Sequence, residues 1–381
     1  MGSLWGLRTI IIPMRPLFIT LVLLVPAALP AQPYRSEEHA FRVVTLVEGL
    51  EHPWSLAFLP DGSMLVTERP GRLRMVANGK LDAKPIEGLP AVVEQGQGGL
   101  FDIALHPDFE KNRFVYLAFN ARGERGLTGT ELVRAKLSEG RLENVQVLFR
   151  QDPKGRGGQH FGGRIVFDRA GYLYLTLGER GDRERAQRLG DHAGSVIRLH
   201  DDGRVPADNP FVGKAGWKPE KYDLGHRNMQ GAALHPQTGA LWTHEHGPQG
   251  GDEVNVIRPG VNYGWPVITY GVNYVTGTKI GEGTQKAGMA QPLYYWVPSI
   301  APSGMAFYAG ERFPRWKGDL FVGALRDQML VRLKLDGEKV LKEERLLKGV
   351  LGRIRDVRAG PDGYLYLLTD ESNGVLARLE P

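Results

Sequence analysis

The sequence predicts an all-β protein folded as a six-bladed β-propeller, and three observations lead to this prediction. Glycine accounts for 50 of the 381 residues, about 13% where roughly 7% is usual, which indicates many tight turns between short strands. A unit of apolar residues, a turn containing Pro, Asp or Gly, and an alternating strand occurs six times after residue 50. Stretches with a helical period are almost absent. Six copies of one hairpin unit therefore predict six blades of up to four strands each.

The six copies align at one position just before the turn of each hairpin. These positions are Phe58, Leu105, Phe167, Leu234, Phe307 and Ala359. Their spacing is unequal, so the additional length predicts loops between strands, where functional residues are often found. A stacked pair of β-sandwiches is the alternative architecture, but a sandwich does not require the same hairpin six times.

The composition excludes several classes of protein and of site. Hydrophobic residues make up 42% of the chain and charged residues 24%, so the chain is not globally disordered. Cysteine does not occur, which excludes disulfides, thiolate zinc sites, iron–sulfur clusters and a cysteine nucleophile. The formal net charge of +5 is dispersed rather than gathered in a basic tract, so no nucleic-acid partner is predicted.

Residues 1–31 have the features of a secretory signal peptide that is cleaved from the mature protein. This segment contains two arginines, no acid and an apolar run that ends in Leu29-Pro30-Ala31, a pattern typical of cleavage sites. An uncleaved N-terminal anchor is the alternative, because only length and flanking residues separate the two. We therefore predict a periplasmic or secreted protein in which residues 37–381 form one domain, without stable membrane insertion after processing.

Polar residues cluster where loops enter the repeats, and closure of a propeller brings such loops to one mouth of its central channel. His160 lies between two glycine pairs before a strand and is a candidate general base; a histidine that ties a turn to the backbone is the alternative. Arg227, Arg326, Arg353 and Arg355 lie at the edges of three repeats. Converging guanidinium groups suit a ligand with several carboxylates, although isolated salt bridges could explain each arginine alone. Alternation along a strand places Arg353 and Arg355 on one face.

Two metal-binding patterns occur in the segment that follows the fourth repeat. His244 and His246 would share a strand face and could bind zinc, but no third ligand occurs at the usual spacing. Gly247-Pro248, Glu253 and Tyr263 instead offer backbone and carboxylate oxygens around a glycine-rich loop, which suits calcium. An acidic, solvated turn is the alternative to a calcium site.

These motifs, taken in order, resemble those of the soluble quinoprotein sugar dehydrogenases, the glucose/sorbosone dehydrogenase family, which uses pyrroloquinoline quinone (PQQ). The resemblance extends from about Leu50 to Leu379 and is strongest for the bacterial soluble aldose sugar dehydrogenases. It is carried by Gly96 to Leu100, His106 to Phe109, Gln159 to Arg164, Leu224 to Asn228, Glu245 to Glu253, Asn262 to Pro266 and Arg353 to Val357. The family fold is a six-bladed propeller, which agrees with the repeat count.

The resemblance implies a set of ligands for PQQ and for calcium. It assigns the contacts to PQQ to Gln97, His160, Arg227, Asn228, Arg326, Arg353 and Arg355. A calcium ion bridges PQQ and the backbone carbonyl groups of Gly247 and Pro248. A second, structural calcium would use Glu253 and Tyr263, with Asp252 as a further candidate ligand.

The resemblance also implies the reaction, which is oxidation of an aldose at its anomeric carbon to an aldonolactone. His160 is then the catalytic base for the anomeric hydroxyl while hydride leaves for PQQ, and Arg227 and calcium polarise the quinone oxygen. An external acceptor would receive the electrons, and the chain would act as a monomer or homodimer. Gln159 and Arg326 depart from the family pattern, where some members have Asp and Lys. A calcium-dependent propeller hydrolase, such as a lactonase, and a noncatalytic interaction propeller are the alternative functions.

Overall fold

The computed structural model describes residues 1–2, 6 and 33–381. The predicted signal peptide therefore lies outside the described residues except at three positions. Among the residues described, no helix is long and apolar enough to cross a membrane. Helical structure in residues 33–381 is limited to α1 (Phe109–Asn112) and three 3₁₀ turns at Glu124–Gly126, Arg183–Gln187 and Pro314–Trp316. The all-β prediction is thus confirmed.

Residues 33–381 contain 24 strands. In chain order they are β1 (Tyr34–Arg35), β2 (Ala40–Leu50), β3 (Pro53–Phe58), β4 (Met64–Glu68), β5 (Arg72–Ala77), β6 (Lys80–Leu81), β7 (Leu100–Leu105), β8 (Phe114–Arg122), β9 (Thr128–Ser138), β10 (Arg141–Arg150), β11 (Gly162–Phe167), β12 (Leu173–Leu177), β13 (Val196–Leu199), β14 (Met229–Leu234), β15 (Leu241–Glu245), β16 (Asp252–Val256), β17 (Tyr294–Trp296), β18 (Pro302–Phe307), β19 (Leu320–Ala324), β20 (Met329–Asp336), β21 (Lys339–Leu346), β22 (Ile354–Ala359), β23 (Leu365–Thr369) and β24 (Gly374–Glu380).

These strands form six antiparallel sheets, each of which is one blade of a propeller. Blades 1 to 5 consist of β3–β6, β7–β10, β11–β13, β14–β17 and β18–β21. In blade 6, β22, β23 and β24 are completed by β2 and β1 from the start of the domain, with β2 paired to β24 from Arg42↔Glu380 to Leu50↔Gly374. This pairing joins the two ends of the described chain and closes the ring, so the predicted six-bladed propeller is confirmed.

The first strand of every blade contacts the first strands of both neighbouring blades, so six strands surround the central channel. All six positions aligned in the sequence are the last residues of these first strands. The second strands are buried along their whole length in five blades, because each blade packs against another blade on both faces. Between blades 4 and 5, for example, Trp242 and Val254 pack with Val322 and Val331.

Three long connections lie within or between blades 3 and 4. They span residues 178–195 between β12 and β13, 200–228 between β13 and β14, and 257–293 between β16 and β17. The first and the last of these are called the blade 3 insert and the blade 4 insert below. Both reach one mouth of the channel, where they contribute side chains to the same cavity.

Candidate functional site

The candidate site lies where the first strands of the blades begin. Antiparallel pairing places the start of each first strand beside the end of the second strand of the same blade. Residues before the first strands are His52, Gln97, His160, Arg227, Asn228 and Arg353, and residues after the second strands are Arg69, Glu179, His246, Arg326 and Asp370. Closure of the ring therefore gathers polar side chains that are far apart in the sequence at one mouth of the channel.

Two adjoining cavities occupy this mouth. The larger, of about 750 Å³, is lined by the predicted cofactor residues Gln97, Asn228, Arg326, Arg353 and Arg355. The smaller, of about 380 Å³, is lined by His160, Arg227 and Pro248. Gln97 lines both cavities. The structure thus brings the residues predicted for cofactor binding and for catalysis to one place.

His160 is held in position by a contact from the loop that enters blade 2 and by contacts within its own blade. Its backbone has a φ of 54°, which is uncommon for a residue other than glycine and is often found at functional sites. The backbone N–H donates to Oε1 of Gln97 (2.9 Å), and the carbonyl oxygen accepts from the N–H of Arg180 (3.1 Å). The Cβ that a side chain at Gly178 would carry lies 2.2 Å from this carbonyl oxygen, so only glycine fits there. The ring is therefore fixed at the cavity wall.

The ring of His160 is oriented by Glu179, a residue that no sequence motif indicated. Nδ1 of His160 lies 2.9 Å from Oε2 of Glu179, and the two side chains are 10% and 2% exposed. An ionised carboxylate only accepts hydrogen bonds, so this contact assigns the proton to Nδ1 and leaves the lone pair on Nε2. Burial lowers the pKa of His160; Glu179 opposes this effect, and the guanidinium of Arg227 adds to it. A neutral imidazole with a free Nε2 is the form that a general base requires.

Arg227 is positioned by a buried cluster beneath the smaller cavity. Its backbone N–H donates to Oε2 of Glu245 (2.5 Å), and Nη1 donates to the carbonyl oxygen of His246 (3.1 Å). Oε1 of Glu245 contacts Nδ1 of His226 (2.6 Å), and Oδ2 of Asp223 contacts Nε2 of the same ring (3.1 Å). Burial lowers the pKa of His226, but the two carboxylates outweigh this effect and raise it to about 10. A buried imidazolium between two carboxylates therefore supports the arginine.

Arg353 and Arg355 extend from the start of blade 6 towards one carboxylate, as their predicted common face requires. Nη2 of Arg355 lies 2.9 Å from Oδ2 of Asp370, and Nη2 of Arg353 lies 3.4 Å from the same oxygen. Nδ1 of His52 contacts the other oxygen of Asp370 (3.0 Å). Burial opposes ionisation of Asp370, but the arginines and His52 hold its pKa well below the usual range. One carboxylate thus orients two guanidinium groups and leaves a cationic excess in the cavity.

The Gly247-Pro248 turn is held by Asp252. Oδ1 of Asp252 accepts from the N–H of Gly247 (2.9 Å), and Oδ2 accepts from the Ser299 hydroxyl (2.6 Å) and from the N–H groups of Ile300 and Ala301 (2.8 and 3.0 Å). A Cβ at Gly247 would lie 2.3 Å from the carbonyl oxygen of Gly250, so the tight turn requires glycine. Asp252 therefore holds the turn with one oxygen and residues 299–301 with the other, which argues against its use as a metal ligand.

The residues predicted for a second calcium lie around β15 and β16. Glu253 pairs across the strands with Glu245, and Nδ2 of Asn255 lies 3.3 Å from a carboxylate oxygen of each. Burial and the neighbouring Glu245 both raise the pKa of Glu253. The hydroxyl of Tyr263 donates to the carbonyl oxygen of Val256 (2.7 Å) and accepts from a backbone N–H. Only the backbone carbonyl of Tyr263 is therefore left to bind a metal.

The zinc alternative receives no support from the part of the chain that the structure describes. No group of three His, Cys, Asp or Glu side chains there is arranged to hold a metal ion. Nε2 of His246 lies 2.6 Å from the carbonyl oxygen of Pro302, and His244 is fully buried. One ring nitrogen of His246 is thus engaged by the backbone, and the ring nitrogens of His244 have no hydrogen-bond partner among the described residues.

Several residues of the site could not be singled out from the sequence. They are Glu179 and Asp370, which orient predicted residues, and Trp54, Phe101 and Phe161, which give the larger cavity an aromatic side. The signal that could have found Glu179 and Asp370 is their place, directly or almost directly after the second strand of a blade. A repeat alignment extended to that strand end would have aligned Glu179 with Arg326, both two residues after the strand, and placed Asp370 one residue earlier.

Comparison with known proteins places this geometry in a family. The model of the family described as Glucose / Sorbosone dehydrogenase matches residues 50–378. The aldose sugar dehydrogenase of Escherichia coli is 47% identical over 344 residues, which are 89% of this chain and 92% of that protein. A crystal structure of a glucose dehydrogenase is similar with a TM-score of 0.87 and 53% identity, covering 88% of this chain and 99% of that chain. The PQQ-bound form of an aldose sugar dehydrogenase from Streptomyces coelicolor is similar with a TM-score of 0.75 and 31% identity, covering 92% of this chain and 99% of that chain.

These matches cover most of the chain and include the strands and loops that build the two cavities. The resemblance inferred from the ordered motifs is therefore confirmed. The chain belongs to the glucose/sorbosone dehydrogenase family of enzymes.

Proposed function

We propose that the protein is a PQQ- and calcium-dependent aldose sugar dehydrogenase that oxidises the anomeric carbon of its substrate to a lactone. The observation that carries this proposal is the convergence of a buried, carboxylate-oriented imidazole and several guanidinium groups at one mouth of the channel. The relatives named above include aldose sugar dehydrogenases, one of them in a PQQ-bound form. Family membership and local chemistry thus favour the same reaction.

The donor set of the larger cavity fits a polyanionic, planar ligand such as PQQ. Arg69, Arg326, Arg353 and Arg355 line it, against the two carboxylates of Asp370 and Glu371. The buried Nε atom of Arg355, and that of Arg227 at the adjoining smaller cavity, have no hydrogen-bond partner among the described residues. An unpaired buried donor is costly unless a ligand satisfies it. Gln97 and Asn228 complete the proposed contacts with amide groups, and the aromatic side chains offer a flat surface for a ring system.

The Gly247-Pro248 turn fits calcium. Within residues 33–381, the carbonyl oxygens of Gly247 and Pro248 accept no backbone hydrogen bond, and backbone carbonyls are frequent calcium ligands. Pro248 lies on the wall of the smaller cavity together with His160 and Arg227. We further propose that Glu253 and the backbone carbonyl of Tyr263 bind a second, structural calcium, which would relieve the repulsion between Glu253 and Glu245.

In the proposed reaction the protein's own residues bind the sugar, move one proton and stabilise charge. Nε2 of His160 accepts the proton of the anomeric hydroxyl, and Glu179 stabilises the imidazolium that forms. When bound, PQQ supplies the quinone that receives the hydride equivalent and calcium supplies a Lewis acid beside it. Arg227 would donate hydrogen bonds to the quinone oxygen, on which negative charge develops during the reaction. An external acceptor then takes the two electrons.

The proposal is tested with purified protein to which PQQ and calcium are added, by following the aldose-dependent bleaching of a redox dye. We expect turnover only when both are present. His160→Ala should abolish turnover but retain PQQ binding, measured by quenching of tryptophan fluorescence, whereas His200→Ala, outside both cavities, should be fully active. Dye reduction without PQQ, or normal turnover by the His160 variant, would refute the proposal.

The proposed location is the periplasm or the exterior of the cell, because residues 1–31 have the pattern of a signal peptide.

A lactonase-type hydrolase, the alternative function, needs several convergent carboxylates or amides around its metal. The larger cavity is instead dominated by four guanidinium groups, those of Arg69, Arg326, Arg353 and Arg355, which suit an anionic ligand. The sugar dehydrogenase is therefore the function that the site favours.

A further inference from the structure

A groove with an excess of positive charge adjoins the smaller cavity. It has a volume of about 500 Å³ and is lined mainly by the loop 153–157, which precedes blade 3, and by the blade 3 insert. Gln159 and Gly181 line both this groove and the smaller cavity, whereas no described residue lines both the groove and the larger cavity. The groove, called the basic groove below, is therefore separate from the space proposed for PQQ.

Among the described residues, five basic side chains and one acidic side chain line the basic groove. The basic residues are Lys154, Arg156, Arg180, Arg185 and Arg188, and the acid is Asp182. Three of the five form ion pairs, which are Lys154 with Glu131 (2.5 Å), Arg185 with Asp191 (2.8 Å) and Arg188 with Asp182 (3.5 Å). Arg156 and Arg180 form no ion pair with a carboxylate in the part of the chain that the structure describes. Two positive charges are thus left without a counter-ion.

Arg180 is the buried member of this pair and is only 3% exposed. Its guanidinium donates to the carbonyl oxygens of Thr128 (2.7 Å), Gln159 (3.2 Å) and Gly157. It also lies 3.7 Å from the centroid of the Phe161 ring. These partners are neutral, so they satisfy hydrogen bonds but leave the charge uncompensated. Burial and a neighbouring guanidinium lower the pKa of Arg180 to about 9, because a buried cation without a counter-charge is costly. An anion in the groove would remove this cost.

The loop that precedes blade 3 supplies further hydrogen-bond donors. Backbone hydrogen bonds in both directions between Gly155 and Thr128 (2.9 Å each) hold this loop in place. The backbone N–H groups of Arg156 and Gly157 donate to no backbone acceptor among the described residues, and successive N–H groups are a common part of anion sites. A Cβ at Gly157 would lie 2.5 Å from the carbonyl oxygen of Arg180. The loop therefore brings its N–H groups close to the segment that carries the buried arginine.

We propose that the basic groove binds a tetrahedral oxyanion with two negative charges, either as the free ion or as a sulfate or phosphate monoester. The two guanidinium groups without a counter-ion, those of Arg156 and Arg180, match its charge, and the N–H groups of the loop match its oxygens. Arg156 is exposed, so the remainder of a monoester can extend past it into solvent. The inference goes beyond the proposed function and does not depend on it, because it involves neither the sugar nor PQQ.

The test is a calorimetric titration of sulfate into the full chain saturated with PQQ and calcium, at constant ionic strength. Bound PQQ keeps sulfate out of the larger cavity, so we expect one sulfate per chain. In Arg156→Gln the Kd for sulfate should rise about tenfold, because a charge-assisted contact is lost, and in Arg156→Glu binding should be undetectable. Arg141→Gln is the matched control, because Arg141 is an exposed arginine of blade 2 that does not line the groove. Without sulfate, all three variants should unfold at the temperature of the unsubstituted protein.

Two further measurements locate the ion and identify its source. In crystals soaked in selenate, the anomalous signal of selenium should lie between Arg156 and Arg180. Phenyl sulfate that binds more tightly than sulfate assigns the groove to monoesters, and phenyl sulfate that binds equally or more weakly assigns it to the free ion. If sulfate binds equally to the unsubstituted protein and to Arg156→Glu, or if selenate is found only outside the groove, the proposal is refuted. If the chain takes up no PQQ, the proposed function fails, while an affinity for sulfate that depends on Arg156 still supports the oxyanion site.

Discussion

Replacing Glu179 by glutamine would measure what one buried carboxylate contributes to the basicity of His160. The substitution keeps the shape of the side chain and can keep a hydrogen bond at the 2.9 Å contact with Nδ1. It removes the negative charge that raises the pKa of His160 against the effects of burial and of Arg227. The imidazolium that forms when His160 takes the substrate proton would then lie in a buried position without a counter-charge.

The structure sets the size of the expected loss. Both side chains are at most one-tenth exposed, so solvent screens their interaction little. A hydrogen bond to a charged group contributes about 1.5–3 kcal/mol, and about 1.36 kcal/mol corresponds to a tenfold change in rate. We therefore expect kcat to fall about 10- to 150-fold, with a smaller change in KM because the carboxylate acts mainly on the charged form.

The assay is the pH dependence of dye reduction with saturating aldose, PQQ and calcium. The base must be neutral to work, and loss of Glu179 lowers its pKa, so the acidic limb of the kcat profile should move to lower pH while the plateau falls. Glu184 is an exposed carboxylate of the same insert. Glu184→Gln is therefore the matched control and should change neither the pH of the acidic limb nor the height of the plateau. A Glu179→Gln protein that loses activity without any movement of the acidic limb would refute the electrostatic explanation.

Three further predictions concern cofactor, calcium and pH. Arg355→Ala should weaken PQQ binding at least tenfold, because a charge-assisted contact is lost. Substitution of an exposed arginine, Arg345→Ala, is the control. An unchanged Kd of Arg355→Ala for PQQ, measured by fluorescence quenching, would contradict the proposed contact. Added calcium should raise the unfolding temperature, since a ligand that binds only the native state stabilises it by about 2.7 kcal/mol at 100 times Kd. Glu253→Gln should reduce this rise. An equal rise in the unsubstituted protein and in Glu253→Gln would exclude Glu253 as a calcium ligand. The pKa of His226 is raised from 6.5 to about 10, so its stabilising contribution is complete below pH 6.5 and is lost as the pH rises through about 10. The unfolding temperature should therefore fall across this window, and a fall of the same size in His226→Gln would show that another group is responsible.

The architecture of this protein could be predicted from local sequence signals. Each hairpin carries its own alternation and its own turn residues, so six copies could be counted without any long-range information. The aligned residues Phe58 to Ala359 all proved to end the first strand of a blade. The ordered motifs likewise identified the family, because each is a local pattern that can be recognised in the sequence alone. The signal peptide and the ligand sets for PQQ and calcium stay predictions.

The contacts that prepare the site for chemistry depended on the tertiary structure. His160 and Glu179 belong to one blade, yet only its place just after β12 distinguishes Glu179 from the other acids of its loop, and its contact with His160 is set by the pairing of β11 and β12. Asp370 reaches His52 only because β2 closes the ring beside β24. The sequence by itself determined which strands form, since turns and alternation act between near neighbours. The folded ring decided which side chains meet and which charges are buried together, since both depend on groups that are brought close only when the propeller closes.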